Sequence, residues 1–394
     1  MLKVEKFIPG GQALATLENG KKIFLWNALP GEEVVEYRIT KDKSSYSEGI
    51  ATKIKSPSPF RVDPKDACYL STSPWQILDY ERELVEKQNL VVEIFREHQI
   101  TIDQPDILTD NKDYYYRNKM EYSLYWNHET NRIELSFHTR GSHRKIPVAS
   151  SSIERPEIFQ KAQMIINELN RKKEEARKYQ SLLLRANQNG EISGGLYENR
   201  QPHPVFENLT DTILGQKYSY SPNGFFQINL PVYELALKEI KKHINTERVL
   251  DLYAGVGTIG ISVARDKSLT LVEIDKAAFA ELAKNCAILD NNVSRGNIAR
   301  EKHSVAILDK SENVLNYIDP DATVILDPPR AGCDKKLIDK LNEVKPKTII
   351  YLSCNPATQA RDVKLLLDHY KIKEIKTFNF FPHTPHIENL VVLC

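Results

Sequence analysis

The chain is expected to fold as an α/β protein, with a doubly wound, mostly parallel sheet in its C-terminal part, a small N-terminal β-barrel and a central α+β domain. Three observations predict this. Beyond about Phe225, short apolar strands alternate with helical runs of about 10–15 residues, the pattern of a parallel sheet covered on both faces. Gly-Gly, Asn-Gly and Pro-Gly pairs break residues 1–56 into short β-rich runs. A length of 394 residues also exceeds one ordinary domain. The predicted domains are therefore 1–56, 57–224 and 225–394.

In the first domain Lys22 to Trp26, Glu33 to Ile39 and Gly49 to Lys55 read as strands, and barrels this small often bind oligonucleotides. Pro57, Pro59 and Pro64 mark a junction. From Trp75 to His98 the apolar residues Ile77, Leu84, Leu90, Val91 and Ile94 recur among charges, which predicts a helix that packs on the C-terminal domain. Arg117 to Trp126 and Arg132 to His138 predict a hairpin, and Pro156 to Tyr179 a second helix. Gly194, Gly195, Pro202 and Pro204 punctuate a further β region ending near Ser221. A helix over Val232 to Ile244 leads into strands at Arg248 to Leu252, Leu269 to Ile274, Ala322 to Leu326 and Thr348 to Leu352.

Composition narrows the function classes. No run of about 18 apolar residues exists, so no membrane span is expected. The opening MLKVEKFIPGG lacks the apolar core of a secretory signal. Five scattered cysteines argue for reduced thiols and a cytoplasmic protein, taken to be a monomer. A net charge of +1 does not announce nucleic acid. Local basic surface does exist at Arg140, His143, Arg144 and Lys145; the run Arg171 to Lys173 is followed by Glu174 and Glu175 and reads as a solvated helix face.

The chemistry-bearing segments follow the predicted strands. The first, Val249 to Gly260, passes from a buried strand into a turn with Tyr253, Gly255, Gly257 and Thr258, where glycine lets the backbone approach a ligand. Asp251 before it can accept from an amino acid ammonium, whereas a pyrophosphate would call for positive potential at the helix start. Glu273, ending the next strand, can hold ribose hydroxyls. Asp327 stands in Asp327-Pro328-Pro329-Arg330 at a strand's C-terminal end, where open α/β sheets bind ligands.

Cys354, in Ser353-Cys354-Asn355-Pro356, follows a buried strand and precedes a helix whose N-terminal end would favour a thiolate. Such a thiolate can add to carbon 6 of a uracil and make carbon 5 nucleophilic, provided a base later removes the carbon 5 proton. Glu388, where a polar loop enters an apolar strand, is the candidate base. His383 and His386 lack a third ligand nearby and suggest no metal; they shape the loop or touch RNA.

These residues together resemble the RNA 5-methyluridine (uracil-C5) methyltransferases over nearly the whole length. Residues 1–56 resemble the TRAM barrel of many members, and Tyr116-Arg117-Asn118-Lys119 with Gly141-Ser142-His143 is similar to their central RNA-contacting domain. Phe225-Phe226-Gln227-Ile228-Asn229 resembles their F-x-Q-x-N segment, which implies that Gln227 contacts the cofactor. Asp327, Cys354 and Glu388 match the D-P-P-R, S-C-N-P and H-x-E motifs. The resemblance implies S-adenosyl-L-methionine as cofactor, held by Gln227, Tyr253, Gly255, Gly257, Thr258, Glu273 and Asp327, with Cys354, Glu388 and Asp327 catalytic.

Many members also carry an iron–sulfur cluster on cysteines near positions 68–76 and 150. Here only Cys68 remains, and Ser150, Ser151 and Ser152 fill the later position, so no cluster is expected. The TRAM-like barrel points to 23S ribosomal RNA ahead of transfer RNA. Two other readings are an amino-methyltransferase, which would want an aromatic residue where Arg330 stands, and a non-catalytic RNA-binding or assembly factor, against which the full set of motifs speaks. A nicotinamide enzyme is disfavoured, since no hydride-transfer site is evident.

Overall fold

The computed structural model describes residues 1–142, 144–294 and 304–394, excluding the side chains of 289–294. His143 therefore lies outside the described residues. Five strands, β1 (Leu2–Phe7), β2 (Ala13–Thr16), β3 (Lys22–Trp26), β4 (Glu33–Asp42) and β5 (Tyr46–Ser56), close into a barrel in the order β1-β2-β3-β5-β4. Alternation explains the closure. Along β3, Ile23 and Leu25 are buried while Lys22 is exposed, so one face fills the barrel and the other meets water. Fully buried Glu32 takes the Arg61 guanidinium at 2.6 Å and fastens the proline-rich junction to the barrel.

After a short helix α1 (Tyr69–Thr72), helix α2 runs over Tyr80–Glu97. It begins five residues later than the predicted Trp75, because Asp79 accepts a hydrogen bond from the Arg82 N–H and caps it there. Residues 75–78 instead form a turn that buries Trp75. Strand β6 (Asp106–Leu108) lies within the predicted central domain but extends the C-terminal sheet.

The central sheet orders β12-β11-β10-β7-β8-β9, from β7 (Lys119–Asn127), β8 (Arg132–His138), β9 (Lys145–Pro147), β10 (Tyr179–Ala186), β11 (Ile192–Glu198) and β12 (Gln201–His203). Helix α3 (Pro156–Arg171) packs on it and stops well short of Tyr179, which opens β10. Gly194 and Gly195 sit inside β11 rather than in a turn. At Gly194 a Cβ would come within 2.2 Å of the Leu183 carbonyl oxygen, so glycine is needed for close strand pairing. A hairpin, β13 (Leu209–Ile213) and β14 (Gln216–Tyr220), leads into the last unit.

That unit follows the expected alternation: α4 (Leu230–Lys242), β15 (Arg248–Leu252), α5 (Thr258–Ala264), β16 (Ser268–Glu273), α6 (Lys276–Ser294), β17 (Ser304–Leu308), β18 (Ala322–Leu326), α7 (Lys335–Val344), β19 (Thr348–Ser353), α8 (Pro356–Leu366), β20 (Ile372–Phe378) and β21 (Glu388–Leu393). The sheet order is β17-β16-β15-β18-β19-β21-β20-β6. Strands β15 to β19 are parallel, whereas β21 inserts antiparallel between β19 and β20. The middle strands are buried on every residue, as a sheet covered on both faces requires.

One apolar cluster runs from barrel residues such as Phe7 through Trp75 and Leu90 to Leu326 and Tyr351 of the large sheet. Phe7 and Trp75 pack with ring centroids 4.7 Å apart, and α2 packs on α8. Among the described residues no helix is long and apolar enough to cross a membrane.

Candidate active site

Strand ends bring the motifs together. In the parallel part, Leu326 pairs with Tyr351, so Asp327 and Cys354 leave neighbouring strands on the same edge. The antiparallel β21 has Asn389 opposite Ser353, which sets Glu388 at its start beside Cys354 at the end of β19. Glu388 is buried, at 3% exposure; Cys354 and Asp327 are half-buried.

The surrounding bonds fix this edge. Asn355 donates to the Arg330 carbonyl at 2.8 Å, and Thr358 donates to the same oxygen at 3.2 Å. The Asp327 loop and the Cys354 turn are thereby tied. Gln359 donates to the Tyr351 and Asn389 carbonyls and accepts from the Asn389 amide, locking β19, α8 and β21 in register.

Burial dominates the electrostatics. It pushes the Asp327 carboxyl up to about 7 and raises Glu388 well above the carboxylate range, with Asp327 adding like charge and Arg330 opposing. The Cys354 thiol is pushed up to about 11 by burial, then by Glu388 and Asp327, against a smaller lowering by Arg330.

Around the glycine turn, Tyr253, Gly255 and Gly257 all take positive φ, at 63°, 59° and 89°. A Cβ at Gly257 would meet Leu282 at 2.6 Å, and one at Gly260 would meet Asp251 Oδ2 at 2.7 Å. A Cβ at Gly255 would meet nothing within 4 Å, so the turn opens on space there. Glu273 accepts from the Gly255 N–H at 2.7 Å and the Asp275 N–H at 2.6 Å, aiming its carboxylate beside the turn. Buried Asp251 accepts from the Gly260 N–H through Oδ2, while its Oδ1 is buried without a hydrogen-bond partner. Thr258 is buried at the start of α5.

Gln227 is buried on a segment that the central domain grips. Arg185, fully buried, donates to the Phe226 and Gln227 carbonyls at 2.6 and 3.0 Å. Asn118 donates to the Gln227 carbonyl, and Lys119 to those of Asn223 and Gly224. Tyr116 donates to the Pro382 carbonyl. Tyr116 and Asn118 thereby tie the central region to the C-terminal unit, and Lys119 holds the loop that leads into it.

His383 also turns inward. It is buried at positive φ, its N–H donates to Glu83, and its ring meets Asp113 at 3.2 Å. His386 instead lines a cavity of about 260 Å³ together with Cys354, Arg330, Arg140, Trp26 and Gly10. Sequence reasoning gave no role to Trp26 or Arg330. Trp26 carries no linear motif and reaches the cavity only through the barrel's docking.

The chain is similar to several known proteins. The model of the tRNA (Uracil-5-)-methyltransferase family matches residues 206–394. A relative in Bacillus anthracis described as an uncharacterized RNA methyltransferase is 27% identical over 94% of this chain and 91% of its own. The tRNA (uracil(54)-C(5))-methyltransferase of Pyrococcus horikoshii is 40% identical over 47% of this chain and 41% of its own. The structure of Pyrococcus abyssi tRNA (uracil-54, C5)-methyltransferase in complex with S-adenosyl-L-homocysteine aligns over the whole of both chains, with a TM-score of 0.75 at 24% identity. The matching family model and the relatives define an enzyme that methylates RNA. Over residues 206–394 the chain is similar to the RNA uracil-C5 methyltransferases.

Proposed function

We propose that the chain methylates carbon 5 of a uridine through a covalent adduct on Cys354, and that its substrate is transfer RNA. The single observation that carries the mechanism is the antiparallel β19–β21 register, which sets a buried carboxylate beside a cysteine at one sheet edge. Cys354 sulfur, having lost its proton to solvent, bonds to carbon 6, and the ring electrons move to carbon 5. Asp327 holds the polar edge of the extruded base. Once carbon 5 carries the methyl group, Glu388 takes its proton. Those electrons restore the carbon 5–carbon 6 double bond, and the carbon–sulfur bond breaks to return the thiolate.

The residues present fit the methyl donor. The orphaned Asp251 Oδ1 suits an ammonium, the open space at Gly255 admits a ligand against the backbone, and the Glu273 carboxylate retains lone pairs for hydroxyls. Gln227, Tyr253, Gly257, Thr258 and Asp327 complete the proposed set. S-adenosylmethionine, when bound, supplies an electrophilic methyl group.

The barrel was the ground for preferring 23S ribosomal RNA, and it does not discriminate, because a transfer RNA enzyme aligns with the whole chain, barrel included. Two similar proteins whose names state a uracil target act on transfer RNA. A monomer working in the cytoplasm is the corresponding setting. RNA containing 5-fluorouridine tests the chemistry. The wild type should form a denaturant-stable adduct, and Cys354→Ala should form none and lose at least about 10⁴-fold in turnover. An adduct on the variant would remove Cys354 from its role. Mapping 5-methyluridine in cells with and without the protein tests the substrate.

A further inference from the structure

We propose that Trp26 of the barrel and Arg140 of the central domain form a second nucleotide subsite, which clamps the phosphodiester and base flanking the target uridine. The proposal rests on the methyltransferase reading above and adds to it the place where the neighbouring nucleotide is held.

The geometry is that of a preformed shelf. The Arg140 guanidinium lies 4.0 Å over the Trp26 ring centroid, and its Nε donates to the Leu70 carbonyl at 2.6 Å. These two contacts fix the plane of the group and leave the Nη atoms for a ligand, since a guanidinium has five N–H donors. Gly141 helps seat the loop, because a Cβ there would come within 3.1 Å of Thr40 in β4. The shelf is thus shared between two domains and exists only when they dock.

Arg140 lacks a counter-charge: among the described residues it makes no ion pair, and burial alone shifts it, while it lines the cavity that holds Cys354. Burial has already stripped part of the water from Arg140 and lowers its proton affinity. A partly desolvated cation without a partner is unfavourable unless an anion completes it. At about 260 Å³ the cavity falls short of the roughly 300–1,000 Å³ of sites that enclose a whole small ligand. A segment of a longer polyanion, threaded past the cysteine, fits that size and charge. Arginine meets a phosphodiester as a planar fork, and an indole offers a stacking face to any base.

The test measures methyl incorporation into total RNA from cells lacking the protein, as a function of salt. Arg140→Gln should raise KM roughly 10-fold with kcat held, and should lower the slope of log(kcat/KM) against log salt by about one, the signature of one lost phosphate contact. Arg140→Lys should restore the slope but not the full KM, because it keeps charge without stacking. Trp26→Ala should raise KM roughly 10-fold and leave the slope unchanged, with Trp26→Phe restoring most of it. Thermal melting guards against misfolding, and 5-fluorouridine RNA at saturation should trap adduct on every variant. Equal KM and salt slope for wild type and Arg140→Gln would overturn the clamp alone. A wild type that neither methylates this RNA nor traps the fluorinated form would overturn the parent reading and the clamp with it.

Discussion

At Asp327 the surroundings work against ionisation, and this has a consequence for stability. Its carboxyl is raised from 3.8 to about 7 in the folded chain. Between those values the folded state keeps a proton that the unfolded state has released, so this group makes stability fall as pH rises from about 4 to about 7, with no further change above. Asp327→Asn removes the penalty. Its melting temperature should exceed that of the wild type by about 2 °C or more at pH 8, and the two should coincide near pH 4. A gap that widens toward acid would contradict the assignment. The identity of this residue was readable because Asp327, Cys354 and Glu388 each sit in a short linear motif at a strand end. Their ionisation was not readable. The place of Cys354 before α8 suggested an activated thiol, whereas burial first, and then carboxylates that follow β18 and open β21 some 30 residues away on either side, raise it in the fold.

Helix α2 shows the same division at the level of an element. Its apolar spacing was legible, and its packing on α8 followed from that stripe. Two charges inside the helix were not interpretable from sequence. Glu83 and Lys87 are both fully buried and pair at 2.8 Å. Lys87 also donates to Asn379 at 2.6 Å and to the Phe381 carbonyl at 3.1 Å, and Glu83 accepts from the His383 N–H. The pair therefore holds the loop that delivers Glu388 to the start of β21. An i,i+4 pair in sequence reads as a surface bridge, and only tertiary burial changes its meaning. Lys87→Met should cost about 3–5 kcal/mol in urea unfolding by leaving Glu83 buried and unpaired. Lys87→Met combined with Glu83→Gln should recover part of it, and a single variant as stable as the wild type would show that the pair is not held as described. Strand β6 escaped the sequence reading for another reason: three residues are too short for a period, and pairing with β20 alone makes them a strand.

Across the whole molecule, the barrel and the catalytic sheet meet at a contact that composition could not announce. Gly11 takes φ +89°, its carbonyl accepts from the Trp75 indole at 2.9 Å, and a Cβ there would come within 2.1 Å of Pro385. Gly20 has a similar φ, at +84°, with nothing within 4 Å. Backbone strain of about 1–3 kcal/mol is expected in both Gly20→Ala and Gly11→Ala. Only Gly11→Ala should also displace the barrel and lower kcat/KM for RNA, by about 10-fold or more; equal kinetics for the two would refute the contact's role. Turn pairs and prolines suggested three domains, but the shared apolar cluster that binds barrel to sheet was not legible, since it joins residues far apart in sequence. The insertion of β21 between β19 and β20 carries one more implication. Strand β20 is made before its inner neighbour exists, so the sheet holds an open seam until residues 388–393 arrive to fill it. On the proposed mechanism, a nascent chain at that stage already carries the sulfur that would add to a pyrimidine yet lacks the carboxylate that would let it leave. Turnover would then begin only when the largest sheet is complete.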